Sequence, residues 1–306
     1  MIHSITAGIE SNESDLLLFK STTEKTMKKR VLILGAAGMA GHMIVSYLKT
    51  KHATYDLFTV ARNNKEITPD VQLDVTDFSQ LEKVISQFQP DFIINCIGIL
   101  NQDAEQNIDK AILLNAYLPH FLERYTANTH TKLIHISTDC VFSGKKGGYR
   151  ENDFTDGKGF YAQSKSLGEV KNSKDITIRT SIIGPELKQN GIGLLDWFMK
   201  QSGEVKGYTQ AIWSGVTTLE LAKFIDSYLQ EPVLSGIIHL TNNQPISKYD
   251  LLHEIKKVYE LDQISIIPFA DYTSDKSFLN TRIDFQYRVP DYPLMLAQLL
   301  SWQTDI

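Results

Sequence analysis

The chain has 306 residues, 42% of them hydrophobic and 22% charged, with a formal net charge of −5. At roughly 150 residues per domain this is two domains or one large one, with enough apolar material for a substantial core. Such a composition excludes a disordered or collagen-like chain, and the lack of a basic excess leaves no electrostatic footprint for a nucleic-acid partner.

Residues 1–27 are polar and rich in Ser, Thr and Glu, and Met27-Lys28-Lys29-Arg30 reads as a natural start. A disordered or upstream-start extension is expected there. The apolar run at 15–19 is too short for a signal peptide and follows acidic residues. The longest apolar stretch, 92–100, is about half of the ~20 residues that a spanning helix needs. No membrane association is expected.

Residues 31–34 are predicted as a buried strand ending in glycine, and 39–49 as a helix. Strands follow at 56–60 and 71–73. The segment 78–88 is amphipathic, with Leu81, Val84, Ile85 and Phe88 on one face, and Pro90 stops it. A strand at 92–96 precedes a helix at 108–125 that is expected to break at Pro119. Strand 132–137, helix 161–170 and strand 176–180 complete the alternation. Strand–helix repetition with apolar strands predicts an α/β fold, a Rossmann-like doubly wound parallel sheet over 28–184. After Gly184 the pattern loosens. Helices at 194–200, 219–229 and 248–259 and strands at 237–240 and 264–268 predict a smaller C-terminal lobe over 185–306. Segments at about 211–240 are expected to return to the main sheet.

Gly35-Ala36-Ala37-Gly38-Met39-Ala40-Gly41 follows the first strand and opens a helix. Gly35 permits a tight turn, Gly38 lets backbone approach a pyrophosphate, and Gly41 allows close helix packing. The helix N-terminus then offers N–H groups to an anion, as in dinucleotide-binding folds. At the end of the second strand a free ribose 2′-hydroxyl would be met by a carboxylate. Arg62 stands there instead, which favours NADPH over NADH, although NADH stays open. Asp74, with Val75 after it, is placed to hold the adenine edge or to cap the following helix.

Tyr161-Ala-Gln-Ser-Lys165 puts a phenol and an ammonium one helical turn apart. Lys165 and a cationic nicotinamide would lower the Tyr161 pKa and make it a general acid toward a carbonyl oxygen. Among 13 tyrosines the spacing also occurs at Tyr47/Lys51 and Tyr272/Lys276. Tyr47 lies on the first helix, and Tyr272 lies late among polar residues. Only Tyr161 follows a strand ending Ser137-Thr138-Asp139, whose C-terminal edge faces the ligand crevice. Thr138 would orient a carbonyl there, with Ser137 the alternative if the register shifts by one. Cys96 and Cys140 lie in apolar segments and read as reduced thiols in a reducing, cytoplasmic compartment. No histidine pattern has metal-ligand spacing, and His42 and His135 read as packing residues. Lys145-Lys146-Gly147-Gly148 reads as a solvated loop or a lid.

In order and spacing, several pieces over 28–184 resemble the extended short-chain dehydrogenases, and among them the dTDP-4-dehydrorhamnose reductases. They are the 35–41 loop, Leu73-Asp-Val-Thr-Asp77, Asp91-Phe-Ile-Ile-Asn-Cys-Ile-Gly98, Ser137-Thr-Asp-Cys-Val-Phe-Ser-Gly144, Tyr161-Ala-Gln-Ser-Lys165 with Gly168-Glu169, and Arg179-Thr-Ser-Ile-Ile-Gly184. Trp213-Ser-Gly-Val-Thr217 looks like a segment bordering the sugar-nucleotide site. The resemblance implies that Thr138, Tyr161 and Lys165 are catalytic. It implies a cofactor lined by Gly35, Gly38, Met39, Ala40, Gly41, Arg62, Asp74, Val75, Cys96, Ile97 and Gly98, with Tyr161 and Lys165 beside it. Ser137, Asp139 and Trp213 would face the substrate. Asn115 would order a water, support Lys165 or pack its helix.

The implied activity is NADPH-dependent reduction of a nucleotide-linked 4-keto-6-deoxyhexose for surface polysaccharide synthesis, by a monomer or a homodimer. In the related dehydratases a second carboxylate follows the acidic residue after the threonine. Here Asp139 is followed by Cys140, which argues against water elimination. The alternatives are an epimerase with retained NAD, or a regulatory subunit like the β subunit of methionine adenosyltransferase.

Overall fold

The computed structural model describes residues 27–62, 67–187, 191 and 193–304. The expected N-terminal extension falls on residues 1–26, outside the described residues. A seven-stranded parallel sheet organises the chain. Its first six strands are β1 (Lys29–Leu34), β2 (Tyr55–Ala61), β3 (Val71–Gln72), β4 (Phe92–Asn95), β5 (Lys132–Thr138) and β6 (Ile176–Thr180). In space they run β6-β5-β4-β1-β2-β3, and the strand Gly236–His239 adds beyond β6. That late strand aligns Ile238 with Ile178.

Both faces of β1 are buried, which is why it reads as a continuous apolar run. Its side chains alternate between two cores. Val31 and Ile33 join one core with Met43, Ile44 and Leu48 of α1 (Met39–Lys49). Leu32 and Leu34 join another with Leu81, Ile85 and Phe88 of α2 (Phe78–Phe88). The helix Thr218–Gln230 packs beside α1, so part of the C-terminal half belongs to the main body.

The break expected at Pro119 takes another form. Residues Ile108–Ala111 and Leu118–Thr126 are α-helical, and Ile112–Tyr117 between them is π-helical. Pro119 has no N–H for the Asn115 carbonyl, and the ladder slips to i→i+5, with Leu118 N–H on Leu113 O. The chain stays helical, and Asn115 sits inside the wide turn. Ile264–Phe269 forms the strand expected at 264–268, and it pairs in parallel with Gly203–Tyr208, a strand that the periodicity did not reveal. Two glycines dilute the alternation of Gly203–Tyr208. The terminal helix Tyr292–Thr304 is apolar on several faces, with Leu294 half exposed and Met295, Leu296 and Leu299 buried.

A buried ion pair joins β6 to the end of the Tyr161 helix. Arg179 Nε and Nη2 reach the two Glu169 carboxylate oxygens at 2.6 and 2.7 Å. Nη1 donates to the Glu151 carbonyl at 3.1 Å and to His239 Nε2 at 3.2 Å. His239 Nδ1–H in turn donates to Leu279 O. Burial takes His239 down to about 4, so it accepts from Arg179 as a neutral ring. Glu169→Ala would leave the Arg179 cation buried and unpaired. A loss of about 3–5 kcal/mol of unfolding free energy is expected in urea titration, and a loss under about 1 kcal/mol would contradict the assignment.

Candidate active site

The glycine loop joins β1 to α1. Gly35 has a φ of 82°, which an L side chain rarely adopts. A Cβ on Gly41 would run into the Gly35 carbonyl, so the helix can sit this close only with glycine there. Gly38 is exposed and is the N-cap of α1, with no side-chain cap. The N–H groups of Met39, Ala40 and Gly41 therefore open the helix with no intrahelical acceptor. This is a backbone cradle with the donors and dipole sense that a pyrophosphate needs.

Arg62 lies just past β2 and is exposed. Asp74 accepts from the Thr76 amide at 3.0 Å and from its hydroxyl at 2.8 Å. These bonds lower its carboxyl pKa, with a smaller contribution from Arg62. The cap of α2 is Asp77, which accepts from Gln80 N–H, so Asp74 does not cap that helix. Val75 is buried in the second core. Past β4, Cys96 is half-buried and desolvation pushes its thiol up to about 12. Ile97 donates its amide to Asn95 Oδ1 at 3.1 Å, and Gly98 lies beside Asn115.

Thr138 is the last residue of β5. Its hydroxyl donates to Asp139 Oδ1 at 3.0 Å and accepts from Cys140 N–H at 3.1 Å. Tyr161 and Lys165 lie on the helix Phe160–Leu167. Burial raises the Tyr161 pKa well above its ordinary value, and a hydrogen bond with Thr138 draws it partly back. Lys165 is only 4% exposed. Its Nζ donates to Ile136 O at 2.7 Å and lies 3.4 Å from His135 Nε2. Burial brings the ammonium down to about 8, and Glu169 opposes that shift. The expected lowering of the Tyr161 pKa by Lys165 is therefore absent in the ligand-free chain. Desolvation drives both groups toward their neutral forms.

Asn115 accepts from Ile99 N–H at 2.8 Å and donates to Ile99 O at 2.9 Å and Ser164 Oγ at 3.0 Å. Ser164 Oγ donates to the Tyr161 carbonyl. The amide side chain thus ties the loop after β4 to the Tyr161 helix, and its bonds to protein groups account for both of its ends.

A cleft of about 370 Å³ opens beside Tyr161. Its lining includes Asn101, Glu105, Cys140, Lys145, Lys158 and Lys276. A larger cavity of about 650 Å³ is lined by Glu151, Phe154, Lys171, Arg179 and Arg282. It holds none of Thr138, Tyr161 or Lys165, and both its arginines are already paired with carboxylates.

None of the three expected substrate residues lines the cleft. Ser137 Oγ donates to Glu169 at 2.9 Å, on the opposite side of the strand from Thr138. Trp213 is buried in the first core against Tyr292. Asp139 is buried and engaged by Thr138. Sequence reasoning missed Lys276, whose Nζ lies 3.4 Å from Cys140 Sγ. Its Tyr-x-x-x-Lys spacing lies late among polar residues and pointed to no role, and only the fold carries the strand Ser274–Asp275 to the loop after β5, with Asp275 N–H on Gly144 O at 2.7 Å. Lys145 reaches the cleft edge, while Lys146 pairs with Asp153 at 2.7 Å.

Lys165 carries a charge that burial disfavours, so relative to Lys165→Met the wild-type protein should gain about 2 kcal/mol of stability between pH 7 and pH 10. The folded value lies below the unfolded one, so the penalty is complete below about pH 8. It fades as pH rises toward the ordinary lysine range, because the unfolded chain then holds the proton that the folded chain has released. Denaturant titrations of both proteins at pH 7 and pH 10 check this, and a stability difference that does not change with pH would contradict it.

Comparison with known proteins agrees with this architecture. The RmlD substrate binding domain model matches residues 28–276. The spore coat polysaccharide biosynthesis protein SpsK of Bacillus subtilis (strain 168) is 28% identical over 227 residues, covering 72% of this chain and 76% of that protein. A dTDP-4-dehydrorhamnose reductase of Aggregatibacter actinomycetemcomitans is 27% identical, covering 79% and 86% of the two chains. Methionine adenosyltransferase 2 subunit beta of Bos taurus is 25% identical, covering 79% and 76%. The dTDP-4-dehydrorhamnose reductase of Bacillus anthracis, solved in complex with NADP, shares the fold with a TM-score of 0.76. That match has 24% identity and covers 90% of this chain and all of the other. Glycine cradle, sheet order and family match converge, and the chain belongs to the RmlD substrate binding domain family.

Proposed function

We propose that this protein is an NADPH-dependent reductase of a nucleotide-linked 4-keto-6-deoxyhexose, serving surface polysaccharide synthesis. The observation that carries the reading is the convergence of Thr138, Tyr161 and Lys165 where β5 ends, with the Tyr161 side chain lining an open cleft. The names of the SpsK and dTDP-4-dehydrorhamnose reductase relatives support it.

The glycine cradle fits the pyrophosphate of a dinucleotide. The 35–41 loop would hold it, Arg62 would meet a 2′-phosphate, and the chain at Cys96, Ile97 and Gly98 would flank the rest. When bound, the reduced nicotinamide supplies a hydride to the keto carbon. Thr138 orients the carbonyl through its hydroxyl. Tyr161 gives its phenolic proton to the carbonyl oxygen. A raised pKa keeps that proton in place at neutral pH until charge develops on the oxygen, as general acid catalysis requires. Lys165, close to neutrality in its titration, holds the helix against Ile136 O. Three cleft lysines, Lys145, Lys158 and Lys276, suit an anionic substrate. Cys140 carries no acid–base function in this reading, since burial pushes its thiol up to about 11.

The methionine adenosyltransferase relative favours a second reading, a regulatory subunit that binds without turnover. Retention of Thr138, Tyr161 and Lys165 weighs for catalysis.

NADPH consumption should be followed against a panel of nucleotide-linked 4-ketohexoses. Consumption with one member is expected. Tyr161→Phe should then lose at least ~100-fold in turnover with NADPH affinity kept. Full activity of that variant would refute the acid role, and NADPH binding with no turnover anywhere would favour the regulatory reading. Gly41→Ala should weaken NADPH binding by roughly tenfold or more while the far-ultraviolet dichroism stays native, because the loop must shift to admit a Cβ. Unchanged affinity would remove the loop from the cofactor site.

A further inference from the structure

We infer that His135 is a positioning residue that sets the charge of Lys165, because a buried hydrogen-bond chain fixes its imidazole as an Nε2–H donor facing the lysine nitrogen. The chain starts from an unambiguous group. The Ile97 backbone N–H can only donate, so the Asn95 atom 3.1 Å from it is the carbonyl oxygen. The other end of that amide is then the NH₂ group, and it lies 3.2 Å from His135 Nδ1. A ring nitrogen that receives an N–H bears no proton, so the neutral imidazole carries its proton on Nε2. His135 is driven well below its ordinary pKa by burial, with Lys165 adding to the shift, which agrees with a neutral ring.

Nε2 lies 3.4 Å from Lys165 Nζ. An ammonium has three donors and no acceptor, so it would set N–H against N–H. A neutral amine presents a lone pair to Nε2–H and still donates to Ile136 O. Water is no remedy, because Asn95 and His135 are fully buried and Lys165 nearly so. The other titratable groups that act on this pair do not reverse the preference. Cys96, just past β4, keeps its proton through the neutral range. Glu169, just after the helix, favours the cation but is already held by Arg179 and Ser137. Tyr161, on the same helix, is held neutral by burial. His120, from Leu118–Thr126, acts on His135 in the same sense as Lys165. Charging Lys165 therefore requires it to leave Nε2–H, and His135 couples the charge of the lysine to its position.

The value of this coupling for turnover rests on the reductase reading, but its test needs neither substrate nor cofactor. Ligand-free protein labelled with ¹⁵N-histidine should show His135 with a bare Nδ1 and a protonated Nε2. The reverse tautomer would overturn the proposal. In protein labelled with ¹³C-lysine, the Lys165 resonance is assigned by its loss in Lys165→Arg. Its midpoint should lie below the ordinary lysine range. Asn95→Asp accepts from both Ile97 N–H and an imidazole Nδ1–H, which turns Nε2 into an acceptor for the ammonium. The Lys165 midpoint should then rise by roughly one pH unit or more. His135→Gln offers the lysine a carbonyl oxygen without adding charge, and it should shift the midpoint in the same direction. It also serves if Asn95→Asp fails to fold. A wild-type midpoint in the ordinary range, or an unmoved midpoint in a folded variant, would overturn the assignment. Failure of the keto-sugar assay with these signatures present would instead count against the reductase reading alone.

Discussion

The Glu169–Arg179 pair is the constraint on which the site depends. Glu169 follows the Tyr161 helix, and Arg179 lies on β6. The carboxylate also takes the Ser137 hydroxyl of β5, directly before Thr138. The guanidinium reaches the Glu151 carbonyl, while the Glu151 carboxylate accepts from Thr281 N–H and its hydroxyl. Helix, two strands and the C-terminal segment are thus referred to one buried charge pair. Such a pair carries a desolvation cost, so its main consequence is a defined arrangement rather than a large net stability. Thr138 and Tyr161 can meet because both elements that carry them are tied to it.

Desolvation is the second theme. The same burial raises the pKa of a phenol and lowers that of an ammonium. Tyr161 is therefore held neutral and Lys165 is drawn toward its neutral form, although their spacing suggests an ion pair. A ligand that brings its own charge changes this balance. Ligand binding and proton position are then linked, and His135 gives the linkage a structural origin. The lysines around the cleft belong to the same logic, since Lys276 has the Cys140 thiol rather than a carboxylate against its ammonium.

Local pattern carried far in the first half of the chain. The apolar run of β1, the glycines at 35 and 41 and the face of α2 all follow from rules that act within one or two turns of chain. Their reading needed no partner element. The glycine spacing could be read because close backbone approach excludes every other residue. Where a residue's role depends on which neighbour arrives from afar, the reading faltered. Ser137 and Thr138 are adjacent and both carry hydroxyls, and only the pairing with Glu169 separates their roles. Trp213 was read as facing a ligand, and the fold buries it in the first core.

The amino-acid sequence by itself determined the parallel sheet and the glycine loop that opens α1, and it singled out Thr138, Tyr161 and Lys165 as candidates, because periodicity, backbone freedom and helical spacing are local properties. Tertiary structure alone decided that Pro119 yields a π-turn holding Asn115 against the Tyr161 helix, that Lys276 closes on the cleft and that His135 faces Lys165. The last contact spans 30 residues and the Lys276–Cys140 contact 136. Such contacts, and the burial that sets the charge of the groups making them, exist only once the sheet has brought distant segments together.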